Sequence, residues 1–239
     1  MIGKPLRGIT GLHPISLDID IAPIEASNTQ PNTAPPVPAS DWNKVLEMKF
    51  NNNFNDSTGR HSPVSYGAVT SSAQSVEGGY SLYANRDGYV ITDGVWVDHS
   101  DFNIGTGDIK IVCDIRPSGS GNHYVWMKAT NHMTFGYCLI LIDQGGSNYL
   151  ITLRDSSNVG ILDYVTSSLV NTWTNLEVVR ESNVWKIYLD SSLVATSLVY
   201  LPEEIRPVSG SGKDGFIIGG RYGEGVYSGY IDNFVVYTK

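Results

Sequence analysis

From Trp42 to Lys239 the chain is a series of short runs in which apolar and polar residues alternate. Gly, Asn, Asp, Ser or Pro closes each run, and no stretch keeps a 3.6-residue apolar period. Alternation sends successive side chains to opposite faces of a strand. The runs predict strands at Val45–Phe50, Tyr80–Ala84, Tyr89–Thr92, Gly107–Arg116, His123–Ala129, Phe135–Asp143, Tyr149–Arg154, Gly160–Thr166, Thr174–Glu181, Val184–Asp190, Phe216–Gly219 and Gly229–Tyr237. So many short segments separated by turn signals predict an all-β fold, an antiparallel two-sheet sandwich. Composition agrees, because Gly (25) and Ser (25) far outnumber the helix formers Ala (9) and Glu (8).

Phase assigns the faces. In Asp108–Arg116 the odd positions Ile109, Ile111, Cys113 and Ile115 are apolar and face the core, while Lys110, Asp114 and Arg116 face outward. By the same reasoning Val125 and Met127 point in, leaving Tyr124, Trp126 and Lys128 on the other side of their strand. Cys113 and Cys138 lie in apolar runs. Buried free thiols are the expectation, with a cross-strand disulfide as the alternative. A single helical turn at 202–205 is the only helical element the sequence suggests.

Residues 1–40 differ from the rest. Ile15, Leu17, Ile19 and Ile21 alternate with Ser and Asp, the pattern of a strand with one buried face, and a lone strand is not stable in water. Residues 27–40 (SNTQPNTAPPVPAS) form a Pro-rich, uncharged tether. Residues 1–26 are therefore expected to be a docking arm that adds its strand to another chain, with a disordered leader as the alternative.

Charge excludes some partners. Sixteen Lys and Arg are scattered among 24 Asp and Glu, for a net charge of -8, so no basic surface for nucleic acid is expected. No apolar run is long enough for membrane insertion by a helix. The first 20 residues lack a secretory signal, which gives the expectation of an unexported protein.

Several signatures in order resemble the laminin-G-like, concanavalin-A-like lectin and glucanase jelly-roll family, in the compact form found in bacterial surface and phage structural proteins. They are Leu46–Phe50 with Asn55–Gly59, Gly78–Tyr83 leading to Gly88–Val90, and Asp101–Pro117. They continue with Trp173–Val178, Val184–Asp190 with Leu193–Ala195, and Phe216–Gly220 with Gly229–Tyr237. The resemblance implies a jelly-roll sandwich over residues 41–239 carrying the N-terminal arm. One departure is the turn after Leu189, Asp-Ser-Ser, where the family favours Asn-Gly or Asp-Gly; a type I′ turn needs positive φ, which Ser adopts reluctantly.

The resemblance to glucanases requires a test for catalysis. Retaining hydrolysis needs two carboxylates about 5–5.5 Å apart, which the glucanases place on one strand in a Glu-x-Asp pattern. Asp18 and Asp20 lie in the arm, Glu203 and Glu204 are adjacent, and Glu177 and Glu181 lack a third partner. The five histidines accompany no Gly-x-Ser-x-Gly turn, and no phosphate loop occurs. The chain is expected not to be an enzyme.

No cofactor is required, but the resemblance to calcium-containing jelly rolls implies a possible structural calcium at Asp56 and Asp232, the alternative being hydrogen-bonded turn carboxylates. Sugar contact would use exposed aromatic rings. Tyr124 and Trp126 on one outward phase, with Tyr222 and Tyr227 in a Gly-rich hairpin, are the carbohydrate-binding candidates, the alternative being packing or an oligomer interface. Two functions follow. The first is a phage virion structural or decoration protein, made in the host cytoplasm and released by lysis. It would be anchored to capsid or tail subunits through Ile15, Leu17, Ile19 and Ile21, and would form a homo-oligomer. The second is an adhesin or tail receptor-binding module that recognises a cell-surface glycan.

Overall fold

The computed structural model describes residues 41–93, 100–102, 107–131, 134–146, 148–155, 159–167, 169–197, 215–221 and 227–239. The arm residues Ile15, Leu17, Ile19 and Ile21, Tyr222 and the helical turn expected at 202–205 lie outside the described residues.

Among the described residues the regular elements are fifteen strands and one 3₁₀ turn, Ser100–Phe102. In chain order the strands are β1 (Asn43–Met48), β2 (Val64–Tyr66), β3 (Val69–Ser71), β4 (Ser81–Asn85), β5 (Tyr89–Ile91), β6 (Ile109–Pro117), β7 (His123–Asn131) and β8 (Thr134–Gly145). They continue as β9 (Asn148–Asp155), β10 (Gly160–Ser167), β11 (Thr174–Glu181), β12 (Val184–Leu189), β13 (Ser192–Thr196), β14 (Gly215–Ile218) and β15 (Ser228–Thr238). The first sheet runs β13-β12-β11-β6-β15-β4-β3, and the second β10-β9-β8-β7-β14-β5-β2. The far edge of β15 is shared: Ser228–Ile231 pair with β4, and Phe234–Thr238 pair with β1. Every strand pair is antiparallel, and consecutive hairpins give way to long crossings between the sheets, as expected of a two-sheet sandwich.

Strand β6 shows why the layers form. Its burial alternates without a break, so Ile109, Ile111, Cys113 and Ile115 enter the core while Lys110, Asp114 and Arg116 face out, as the sequence predicts. Leu176 and Val178 of β11, Ile231, Phe234 and Val236 of β15, and Leu139, Leu141, Ile151 and Phe216 of the second sheet meet them in one cluster. Cys113 and Cys138 are both buried free thiols, which decides against the disulfide.

Three departures have local causes. In β7 the register shifts between Tyr124 and Trp126, so Val125 and Trp126 both enter the main core and Met127 turns to the far side of the sheet. The expected faces of Trp126 and Met127 are thereby reversed, since a bulge inserts one residue and inverts the phase beyond it. Lys128 is also buried rather than outward. In β15 the register shifts between Asp232 and Val235, with Asn233 at φ 47, so Phe234 joins Ile231 in the core, where strict alternation would put it on the side of Tyr230 and Asp232. The turn after Leu189 takes positive φ at both Asp190 (46) and Ser191 (65), the pattern of a type I′ turn, despite its residues. Backbone bonds with Asn175 hold it: Asp190 N–H donates to Asn175 O, and the Asp190 carboxylate accepts Asn175 N–H, both at 2.9 Å.

Candidate functional site

The aromatic residues singled out by sequence do not form a surface. Trp126 is wholly buried, stacked on Phe216 at 5.9 Å and edge-on to Tyr137 at 5.7 Å. Tyr227 is also buried, its ring edge-on to His123 at 5.4 Å and its hydroxyl donating to Tyr230 O at 3.1 Å. Neither ring can stack on a sugar, so their placement on a binding surface is corrected. Tyr124 is half-buried, with the Arg221 guanidinium 5.8 Å from its ring centre.

The two carboxylates marked for calcium serve separate loops. Asp56 Oδ1 accepts the amides of Glu47 (2.9 Å) and Thr58 (3.0 Å), and Oδ2 accepts Thr58 Oγ1 (2.5 Å) and the amides of Arg60 and His61 (3.0 Å each). Burial raises its pKa but these donors outweigh it, so the carboxyl stays below its usual range. Asp232 Oδ2 accepts the amides of Val76 (2.9 Å) and Glu77 (3.3 Å), and Oδ1 accepts that of Asn233 (2.9 Å). Here burial dominates and the pKa is raised, with a further push from the Asp114 carboxylate. Among the described residues no three His, Cys, Asp or Glu side chains are grouped to hold an ion.

Asp232 and Asp114 are cross-strand partners, which invites comparison with a hydrolytic pair. The Asp232 carboxyl, however, is fully buried and bonded to residues 76–77, out of reach of a sugar bond. It is a structural acceptor.

The outward face of the first sheet does present an aromatic row that sequence reading missed. Tyr83 of β4, Tyr230 of β15 and Arg116 of β6 sit side by side in register, and Trp173 immediately precedes β11, whose Thr174 is opposite Ile115. The rings of Tyr83 and Tyr230 lie 4.9 Å apart, Trp173 is 6.5 Å from Tyr230, and the Arg116 guanidinium sits 5.8 Å over Tyr230. All four are half-buried, and edge residue Val69, paired with Tyr83, is exposed.

A polar row runs beside the aromatic one. Asp114 accepts Nδ2 of Asn175 at 2.8 Å and Nδ2 of Asn233 at 2.9 Å, which fixes both amides on the same face. Flat rings offer stacking area at low entropic cost, while the guanidinium, amides and carboxylate offer donors and acceptors in fixed positions. That combination suits a ligand with apolar C–H faces and hydroxyl edges.

No protein-family model matches the chain, and no curated protein matches it. Solved structures do share its fold. Domain 4 of AbnA, a GH43 extracellular arabinanase from Geobacillus stearothermophilus, solved in complex with arabinotriose, aligns at a TM-score of 0.60 and 14% identity, covering 82% of this chain and 93% of that one. The botulinum neurotoxin serotype D binding domain aligns at 0.57 and 13%, covering 82% of this chain and 48% of that one. Botulinum neurotoxin type C, whose cell entry depends on interaction with two ganglioside molecules, aligns at 0.55 and 14%, covering 81% of this chain and 47% of that one. The chain thus spans about half the length of the toxin structures and nearly all of the arabinanase domain, and what it shares with them is an all-β, two-sheet sandwich fold.

Proposed function

We propose that the sandwich is a non-catalytic glycan-recognition module whose binding surface is the outward face of the first sheet. The observation that carries this reading is the row Tyr83–Tyr230–Trp173 with Arg116 above it and the Asn175–Asp114–Asn233 row alongside. The likeness to a domain solved with arabinotriose and to a toxin that depends on gangliosides supports the same ligand class. The test is a glycan array followed by calorimetric titration of the full chain. Binding of an oligosaccharide that weakens about tenfold or more in Tyr230→Ala and Trp173→Ala is expected. Undiminished binding in both variants would place recognition elsewhere, and silence across the array would remove the function. Hydrolysis of a bound oligosaccharide would contradict the non-catalytic part.

The same proposal includes display on a phage particle. Residues 1–26 would dock by strand addition through Ile15, Leu17, Ile19 and Ile21 to a capsid or tail subunit, with the Pro-rich 27–40 as tether. A chain lacking residues 1–26 is then expected to fold and to be absent from particles. Full incorporation of the truncated chain would end this reading.

A further inference from the structure

A cleft lies beside the β8–β9 hairpin. Gly119, Ser120, Asp143, Gly145, Gly146, Tyr149 and Val170 enclose a cleft of about 280 Å³. Asp143 and Tyr149 are cross-strand partners at the tip of the β8–β9 hairpin. The Asp143 carboxylate is aimed by two amides, Gly145 N–H to Oδ1 at 2.7 Å and Gly121 N–H to Oδ2 at 2.9 Å.

The opposite wall, residues 118–121, is fixed at every position from outside the loop. Ser118 N–H donates to Ser228 O at 2.8 Å, Tyr149 Oη donates to Gly119 O at 2.7 Å, the Arg86 guanidinium donates to Ser120 O, and Gly121 N–H donates to Asp143. Gly121 has φ 102, and a Cβ there would meet Arg86 Nη2 at 2.8 Å, so the wall closes this tightly only with glycine. His123 fixes the Tyr149 hydroxyl. Its Nδ1 accepts Ser228 N–H at 3.1 Å, which leaves the proton on Nε2 to donate to Tyr149 Oη at 3.1 Å. A wall fixed in advance loses little ordering entropy when a ligand enters.

We propose that this cleft is a pocket for one uncharged sugar residue, its neighbouring hydroxyls donating to Asp143 and its C–H face lying against the half-buried Val170. The pocket deepens the glycan-recognition reading and rests on it. Charge argues against a carboxylated occupant, because Asp143 is the one charged side chain among the lining residues. The two amides also hold the Asp143 carboxyl below its ordinary pKa, which keeps it an acceptor. The pocket adjoins the aromatic row: Gly119 follows Arg116 by three residues and Val170 precedes Trp173 by three, a reach of at most about 10 Å along the chain. An oligosaccharide end held in the cleft would leave its next residues near the row.

The test uses the full chain with neutral methyl glycosides and neutral oligosaccharides, read by saturation-transfer NMR and calorimetry. Asp143→Asn and Val170→Trp are each expected to lower affinity for the monosaccharide glycosides about tenfold or more, with no dependence on salt. Val170→Trp fills the cleft while leaving the Asp143 bonds in place, so it guards against a loop loosened by Asp143→Asn. Tyr230→Ala should weaken only the longer oligosaccharides. If both cleft variants bind as the parent does while Tyr230→Ala loses affinity, the pocket is refuted and recognition by the sheet stands. If no glycan binds the parent chain, both fail. Preference for a carboxylated or an amino sugar in the cleft, weakening with salt, would overturn the neutral assignment.

Discussion

The outward faces of the two sheets differ in how they meet water. On the first sheet the outward side carries Lys110, Asp114, Arg116, Tyr83, Tyr230 and Asn233, none of them fully buried. On the second, Tyr89, Ile91, Met127, Cys138, Ile140 and Ile217 form an apolar cluster that is sealed from water. A sheet with one wet face can offer a binding surface. A sheet apolar on both sides spends them on stability, in the manner of strands covered on both faces. The proposed recognition therefore uses the first sheet and the cleft, with the second sheet as their support.

The largest effects that test this contrast are in packing. Ile217→Ala or Met127→Ala on the second sheet is expected to cost about 2–4 kcal/mol in denaturant unfolding, whereas Val112→Ala on the wet face of β6 is expected to cost less than about 1 kcal/mol. Equal costs would erase the distinction.

Next in size is acid sensitivity. His123 is buried, and burial first, then the Arg86 charge, lowers its pKa from 6.5 to about 4. A folded pKa below the unfolded one means that its contribution is intact above about pH 6.5 and is lost as the pH falls towards about 4. About 2 kcal/mol should disappear between pH 7 and pH 5. In His123→Gln the profile over that range should flatten. A parent chain as stable at pH 5 as at pH 7 would contradict the neutral, Ser228-bonded imidazole.

Smaller effects refine local points. Ser191→Gly should stabilise the β12–β13 hairpin by about 0.5–1 kcal/mol, since Ser191 holds φ 65 at a glycine-favouring position. A loss of stability there would mean that the Ser side chain contributes more than its backbone costs. The amides that fill Asp56 predict no change in melting temperature on chelation or on adding calcium. A rise with calcium would restore the ion implied by the family resemblance.

The same contrast governs how legible the chain was. Where one face is wet, as in β6, alternation specified both the strand and its orientation, and it placed Asp114 and Arg116 outward correctly. Strand β11 was bounded to the residue. Where both faces are apolar, alternation carries no signal, and the bulge beside Trp126 then reversed the inferred faces. Short β2 and β3, three residues each, have too little pattern to be read. The aromatic row was invisible for another reason. Tyr83, Trp173 and Tyr230 lie far apart in the chain and meet only through the pairing of β15 with β4 and β6, which no local pattern encodes. Outward phase on β6 was the one available clue to that surface.

The most direct test of the account is an NMR titration of the full chain with an oligosaccharide that it binds, following backbone amides on both sheets. The account predicts shifts concentrated at Tyr83, Arg116, Trp173 and Tyr230, with Met127 and Ile217 unmoved. Shifts centred on Met127 and Ile217, with the first sheet unmoved, would contradict it.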